Sequence, residues 1–99
     1  MAGLHALHFT DRDQFEACRY AGSFMLVPRR ASGLFEFRAF CPCGCGVVMT
    51  LLVGQMHKPG GARPSWNWNG STSAPTLDPS VHWVDHWHGW LRDGYWEVC

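Results

Sequence analysis

Three cysteines fall within five positions in Cys41-Pro-Cys-Gly-Cys-Gly46, and this run constrains the fold more than any other stretch of the chain. Side chains at i and i+2 of a straight strand point the same way but stand roughly 6.5–7 Å apart. Sulfurs that share one tetrahedral zinc ion at about 2.3 Å lie about 3.8 Å from each other. A straight Cys-x-Cys-x-Cys segment therefore cannot wrap an ion, and its spacers must bend it. Pro42 fixes φ, while Gly44 and Gly46 admit positive φ. The spacing leaves open whether two or all three of Cys41, Cys43 and Cys45 bind. A redox-active pair ranks lower, because Cys-x-Cys is not the Cys-x-x-Cys spacing at a helix start that depresses a thiol pKa.

The bulk properties agree with a metal staple. Ninety-nine residues suit one domain spanning 1–99, and a chain this short gains from a cross-link or metal. Eight basic residues balance eight acidic ones, so no strong field draws the chain to nucleic acid or anionic lipid. Residues Met1–Phe9 show neither the basic start nor the long apolar run of a secretory signal, and no stretch approaches the ~20 apolar residues of a membrane helix. The expected compartment is the bacterial cytosol, where cysteines serve as thiols or metal ligands rather than disulfide partners.

Periodicity predicts a mainly β chain with one short N-terminal helix and a small antiparallel sheet. Leu4–Phe9 reads as a first strand. Thr10 is the expected N-cap of a helix through Phe15, Cys18 and Arg19 that ends near Gly22, with Cys18 buried. Ser23–Val27, Leu34–Phe40 and Val47–Val53 read as strands, the last two flanking the cysteine turn. Gly54–Pro64 reads as a loop. Trp66 and Trp68 alternate with Asn67 and Asn69, and Val81–Leu91 reads as a further strand. Arg92-Asp-Gly94 is a hairpin turn, and Tyr95–Val98 its return.

The complementary metal ligands are expected from His82-Trp-Val-Asp-His-Trp-His-Gly89. On a single strand His82, His86 and His88 share a face. His88 is the first choice, because Gly89 and the following turn place it beside a hairpin end. His5, His8 and His57 lack such context. Cys99 reaches the metal only if the last strand runs back toward it.

Phe40-Cys-Pro-Cys-Gly-Cys-Gly46, Trp66-x-Trp68, Pro75-Thr-Leu-Asp-Pro-Ser80 and Trp87-His-Gly-Trp-Leu-Arg-Asp-Gly94 together resemble a family of small, uncharacterised phage and prophage proteins. The resemblance covers roughly residues 34–97. It implies a zinc site completed by a Cys-x-x-His element, in which His88 matches the histidine. Asp85 stands where that family carries cysteine, which leaves Asp85, His86 or the third clustered cysteine for the fourth position.

The functional expectation is a non-enzymatic zinc-stabilised module that contacts a host or phage protein. Inhibition of host defence machinery, such as a CRISPR effector, is its specific form, and Trp66, Trp68 and Trp83 are its expected partner-binding surface. A zinc hydrolase with Asp85 or Asp93 as base is an alternative, opposed by the absence of His-Glu-x-x-His and His-x-Glu signatures. Single-strand nucleic-acid binding would stack bases on the same tryptophans, with Arg29, Arg30, Lys58 and Arg63 as a modest groove. A virion component is the remaining alternative.

Overall fold

The computed structural model describes residues 3–30, 33–61 and 63–98, so Cys99 lies outside the described residues. Eight strands form one curled sheet: β1 (Leu4–His5), β2 (Phe24–Pro28), β3 (Leu34–Phe40), β4 (Val48–Gln55), β5 (Trp66–Trp68), β6 (Leu77–Trp83), β7 (Trp87–Arg92) and β8 (Tyr95–Val98). Their spatial order is β1-β8-β7-β6-β5-β4-β3-β2. The expected mainly β architecture is present. One pair departs from the expected antiparallel sheet: β4 and β5 run parallel, with Val53 beside Trp66 and Gln55 beside Trp68. The ten intervening residues carry the chain back before it pairs.

The N-terminal segment closes the sheet on itself. Leu4 and His5 pair with Trp96 and Tyr95 of β8, at one edge. A few residues on, the Phe24 N–H donates to Leu7 C=O at 2.9 Å and the Phe9 N–H donates to Phe24 C=O at 2.8 Å, at the opposite edge. The outer edges of β8 and β2 are thus partly covered by the chain's own N-terminal segment.

Alternation along each strand then sorts side chains into the interior. Phe24, Phe37, Met49, Val53, Leu77 and Leu91 are buried there together with two of the six tryptophans, Trp68 and Trp96. Trp96 meets Phe37 and Trp87 edge-on and donates its indole N–H to Gly22 C=O at 2.8 Å. Its polar atom is satisfied, so burial of the large ring is favourable.

A second, smaller cluster lies on the outer face of β2 and β3. There α1 (Arg12–Cys18) sets Phe15 against Phe40, ring centroids 4.7 Å apart, beside Met25. The cap is Asp11 rather than Thr10: its carboxylate accepts from the Asp13 and Gln14 N–H groups. Asp11→Ala should cost about 1 kcal/mol of unfolding free energy in a denaturant titration. Cys18 is exposed on this helix, contrary to the expected burial.

The stretch expected as one strand over residues 81–91 is a hairpin. His86 N–H donates to Trp83 C=O at 2.9 Å, and Asp85 takes a left-handed φ of 66° at the turn. Asp tolerates that region better than most residues. The fold consequently splits the three late histidines: His82 faces His88 across β6 and β7, and His86 sits in the turn.

Candidate metal centre and adjoining cleft

The cysteine run follows β3 directly and turns back into β4. Cys41 N–H donates to Val47 C=O at 2.8 Å, and Gly44 N–H donates to Cys41 C=O at 3.0 Å. Gly44 and Gly46 take φ of 87° and 83°, the positive values the spacers admit. Arg19, the C-cap of α1, donates to Gly46 C=O at 2.9 Å and lies over the Phe40 ring. The helix thereby braces the turn from outside.

This local curl brings sulfurs together that a straight strand would hold apart. Cys41 Sγ and Cys43 Sγ are 3.0 Å apart, and Cys45 Sγ is 3.5 Å from His86 Nδ1. One ligand atom from each of Cys41, Cys43, Cys45 and His86 lies within 4.8 Å of all the others. A sulfur and an imidazole nitrogen sharing a tetrahedral zinc would be about 3.6 Å apart. The donor set and the Cys45–His86 separation thus fit a metal ion and are consistent with zinc, while Cys41 and Cys43 stand closer than two zinc-bound sulfurs would. Trp83 stacks on the His86 ring at 4.3 Å and 20°, which fixes the ring's orientation. A neighbour that orients a ligand's ring in this way holds it in place for its ion.

His88, the first-choice histidine, is not in this group. It stands across from His82, with ring centroids 4.5 Å apart. Asp85 is at the apex of the turn and is also outside the group. The hairpin explains the exchange, because it carries the turn residue His86 to the end of the barrel where the cysteines lie.

The electrostatics of the thiols follow from the same geometry. Burial, and after it the hydrogen bond to Cys43, pushes the Cys41 thiol up to about 12. Cys43 shifts the opposite way, because Cys41 and then Cys45 hydrogen-bond to its sulfur. Cys41 therefore keeps its proton throughout the physiological range until an ion displaces it. Metal loading should release protons, and apparent affinity should fall about tenfold per unit of decreasing pH for each proton released. Titration with a divalent ion in weak buffer, following acidification, measures this directly.

Next to the metal centre a cleft of about 240 Å³ opens between β4 and β6, lined by Met49, Leu51, Trp66, Val81, His82 and Trp83 among others. The three tryptophans expected as a partner surface divide. Trp68 is 3% exposed and belongs to the core, which removes it from any stacking surface. Trp66 and Trp83 are half-buried at the cleft, and the Trp66 indole N–H donates to Ser80 C=O at 3.2 Å. Of the four loop cations, Arg29 is paired with Glu36 at 3.2 Å and Arg63 lines the cleft. No helix of the described residues is long and apolar enough to cross a membrane.

Ser80 is a position that the motif reading passed over. The hydroxyls of Ser23, Ser65 and Ser71 are engaged with Tyr20 C=O, Pro59 C=O and Ala74 N–H, and Ser73 meets Ser71. Ser80 instead lies half-buried on β6, two residues before His82. Cross-strand register pairs His82 with His88, and Ser80 lies where β6 slips register against β7. The only linear trace of this position is Ser80 closing the Pro75–Ser80 run.

Neither a curated protein nor a solved structure matches the chain. A family model does match, over residues 9–99, and is described as bacterial ubiquitination-like system serine protease (BubE). That description overturns the expectation of a non-enzymatic module, since it points to an enzyme. The absence of a linear catalytic signature misled, because serine chemistry needs its groups adjacent in space and not in sequence. With α1, the cysteine turn and every strand from β2 to β8 inside the matched span, the chain belongs to the BubE family.

Proposed function

We propose that this chain is a serine protease of a bacterial ubiquitination-like system, acting on peptide bonds of a ubiquitin-like modifier or its conjugates. The observation that carries the reading is the family match across residues 9–99, joined to Ser80 lying two residues before His82, which lines a cleft and faces His88. Ser80 is the nucleophile and His88 the base. Ser80 Oγ attacks the scissile carbonyl as its proton passes to His88, which then protonates the departing amine. Water, deprotonated by the same histidine, hydrolyses the resulting ester and restores the serine. His82, whose ring is tilted 32° against that of His88 with centroids 4.5 Å apart, is a positioning residue. Serine and base in metal-free or substrate-free proteins are often farther apart than in the reacting complex.

The metal centre has a different task in this reading. Three thiolates and one imidazole fill the four positions of a tetrahedral zinc, which leaves none for water. The ion is zinc, and it is a structural staple. This is also why the zinc-hydrolase alternative is set aside.

The test is chemical. A fluorophosphonate probe should add covalently to the native protein, and peptide mapping by mass spectrometry should place the adduct on Ser80. Labelling of another serine, or none in metal-replete folded protein, overturns the assignment.

A further inference from the structure

β5 is three residues long, and its shortness leaves a strand-wide slot in the barrel wall. At the two ends of the β3–β4 ladder, Gln55 N–H donates to Gly33 C=O and Cys41 N–H donates to Val47 C=O. Backbone groups alternate sides along an antiparallel ladder, so the odd residues from Val47 to Gln55 direct theirs to β3. Val48, Thr50 and Leu52 consequently aim N–H and C=O away from β3, toward β5. Yet β5 meets β4 only at Val53 and Gln55.

The far wall is built the same way. Ser80 C=O is turned to Trp66 of β5, while Trp83 C=O is turned to the β6–β7 turn. By alternation His82 aims its backbone N–H and C=O into the gap. Adjacent strands are about 4.8 Å apart, so β4 and β6, each one step from β5, stand about 9.6 Å apart. That is room for one more strand. Among the described residues of the chain's own approach, Pro64 has no N–H to contribute, and Ser65 is held by its hydroxyl bond to Pro59 C=O.

We propose that this slot binds an extended peptide segment of the substrate, which adds to the sheet as the missing upstream continuation of β5. The inference rests on the protease reading for the identity of its occupant. Running in the direction of β5, the peptide lies antiparallel to β6 and carries its carboxyl end toward Trp66 and Ser80. The docked residues are therefore those preceding the scissile bond. Main-chain hydrogen bonds to Thr50 and His82 supply affinity, and every second side chain points inward to Met49, Leu51 and Val81. The substrate class is a chain in β conformation with apolar residues at alternate positions before the cleavage point.

The experiment uses the full-length, metal-loaded Ser80→Ala protein and a displayed library of random dodecapeptides. Enriched peptides should alternate apolar and polar residues. N-methylation of the peptide amide that faces Thr50 C=O should weaken binding at least about tenfold, the cost of a lost hydrogen bond and its desolvated partner. Thr50→Pro should do the same, since that N–H points into the slot and an edge position accepts proline. The N-methylated peptide keeps the test valid if the proline variant fails to fold. Absence of any enriched peptide, binding indifferent to both changes, or photo-crosslinks from Thr50 to a second copy of this chain would each overturn the proposal. A fluorophosphonate adduct on Ser80 without peptide in the slot sinks the slot alone. A seated peptide with neither adduct nor cleavage sinks the protease reading alone.

Discussion

Ser80→Ala should abolish cleavage of a ubiquitin-like precursor while leaving the fold and its metal content intact. The expected loss in kcat is at least about 10³-fold, the scale on which removal of a serine nucleophile acts when binding groups survive. The side chain loses one hydroxyl at a half-buried outward position of β6, so stability should change by no more than about 0.5 kcal/mol. His88→Gln should lower kcat by a similar factor, because nucleophile and base act as a unit and their losses do not add. His82→Gln should cost less and leave KM nearly unchanged, as fits a ring that orients its neighbour. Retained cleavage by the Ser80→Ala protein would end the assignment, whatever the behaviour of the histidines. Time-resolved mass spectrometry of intact precursor and products gives the rate, and a thermal melt of each variant guards against simple unfolding.

The elements legible from sequence are those whose signals are local. Leu34–Phe40 alternates cleanly and is β3, residue for residue. The Cys41–Gly46 run advertises its curl through Pro42, Gly44 and Gly46, because only a bent backbone can gather those sulfurs. Arg92-Asp-Gly94 carries a standard hairpin turn, and Asp93 and Gly94 take the positive φ it needs.

Other features depended on partners distant in the chain. The β6–β7 turn holds neither Gly nor Asn, and its one trace is Asp85 in the left-handed region. Missing that turn keeps His82, His86 and His88 on one strand face, and so favours His88 over His86 for the metal. The fate of the tryptophans followed from closure. Trp68 and Trp66 share a strand face, yet Trp68 is in the core while Trp66 borders a gap created by the end of β5. Nothing local distinguishes them. The pairing of His82 with His88 is likewise a product of register across β6 and β7.

Removing the metal should open the barrel at the slot. The centre joins the β3–β4 turn, through Cys41, Cys43 and Cys45, to the β6–β7 turn, through His86. Those two turns stand on opposite sides of the gap that β5 fails to bridge, so an ion held there would substitute for missing ladder hydrogen bonds. Structural zinc contributes about 10–16 kcal/mol of apparent binding free energy in small domains at neutral pH. A domain of this size has only about 5–15 kcal/mol of net stability. Cys41→Ser replaces a fully buried ligand and should leave the chain unfolded at 25 °C or lower its Tm by more than about 20 °C, since each 1 kcal/mol is worth about 4–8 °C here. His86→Ala should lose metal, whereas His88→Ala should retain it, which separates the turn histidine from the strand histidine. Cys18→Ser, at an exposed position on α1, should change neither property. On chelation, hydrogen exchange should accelerate first at Val48–Leu52 and Val81–Trp83, the two walls of the slot, and peptide cleavage should fail in step with that opening. Elemental analysis showing no bound metal in native protein, together with an unchanged melt for Cys41→Ser, would refute the staple. A chelated protein that keeps its slot walls protected but stops cleaving would instead place the ion in the chemistry, against a centre whose four positions are already filled by protein.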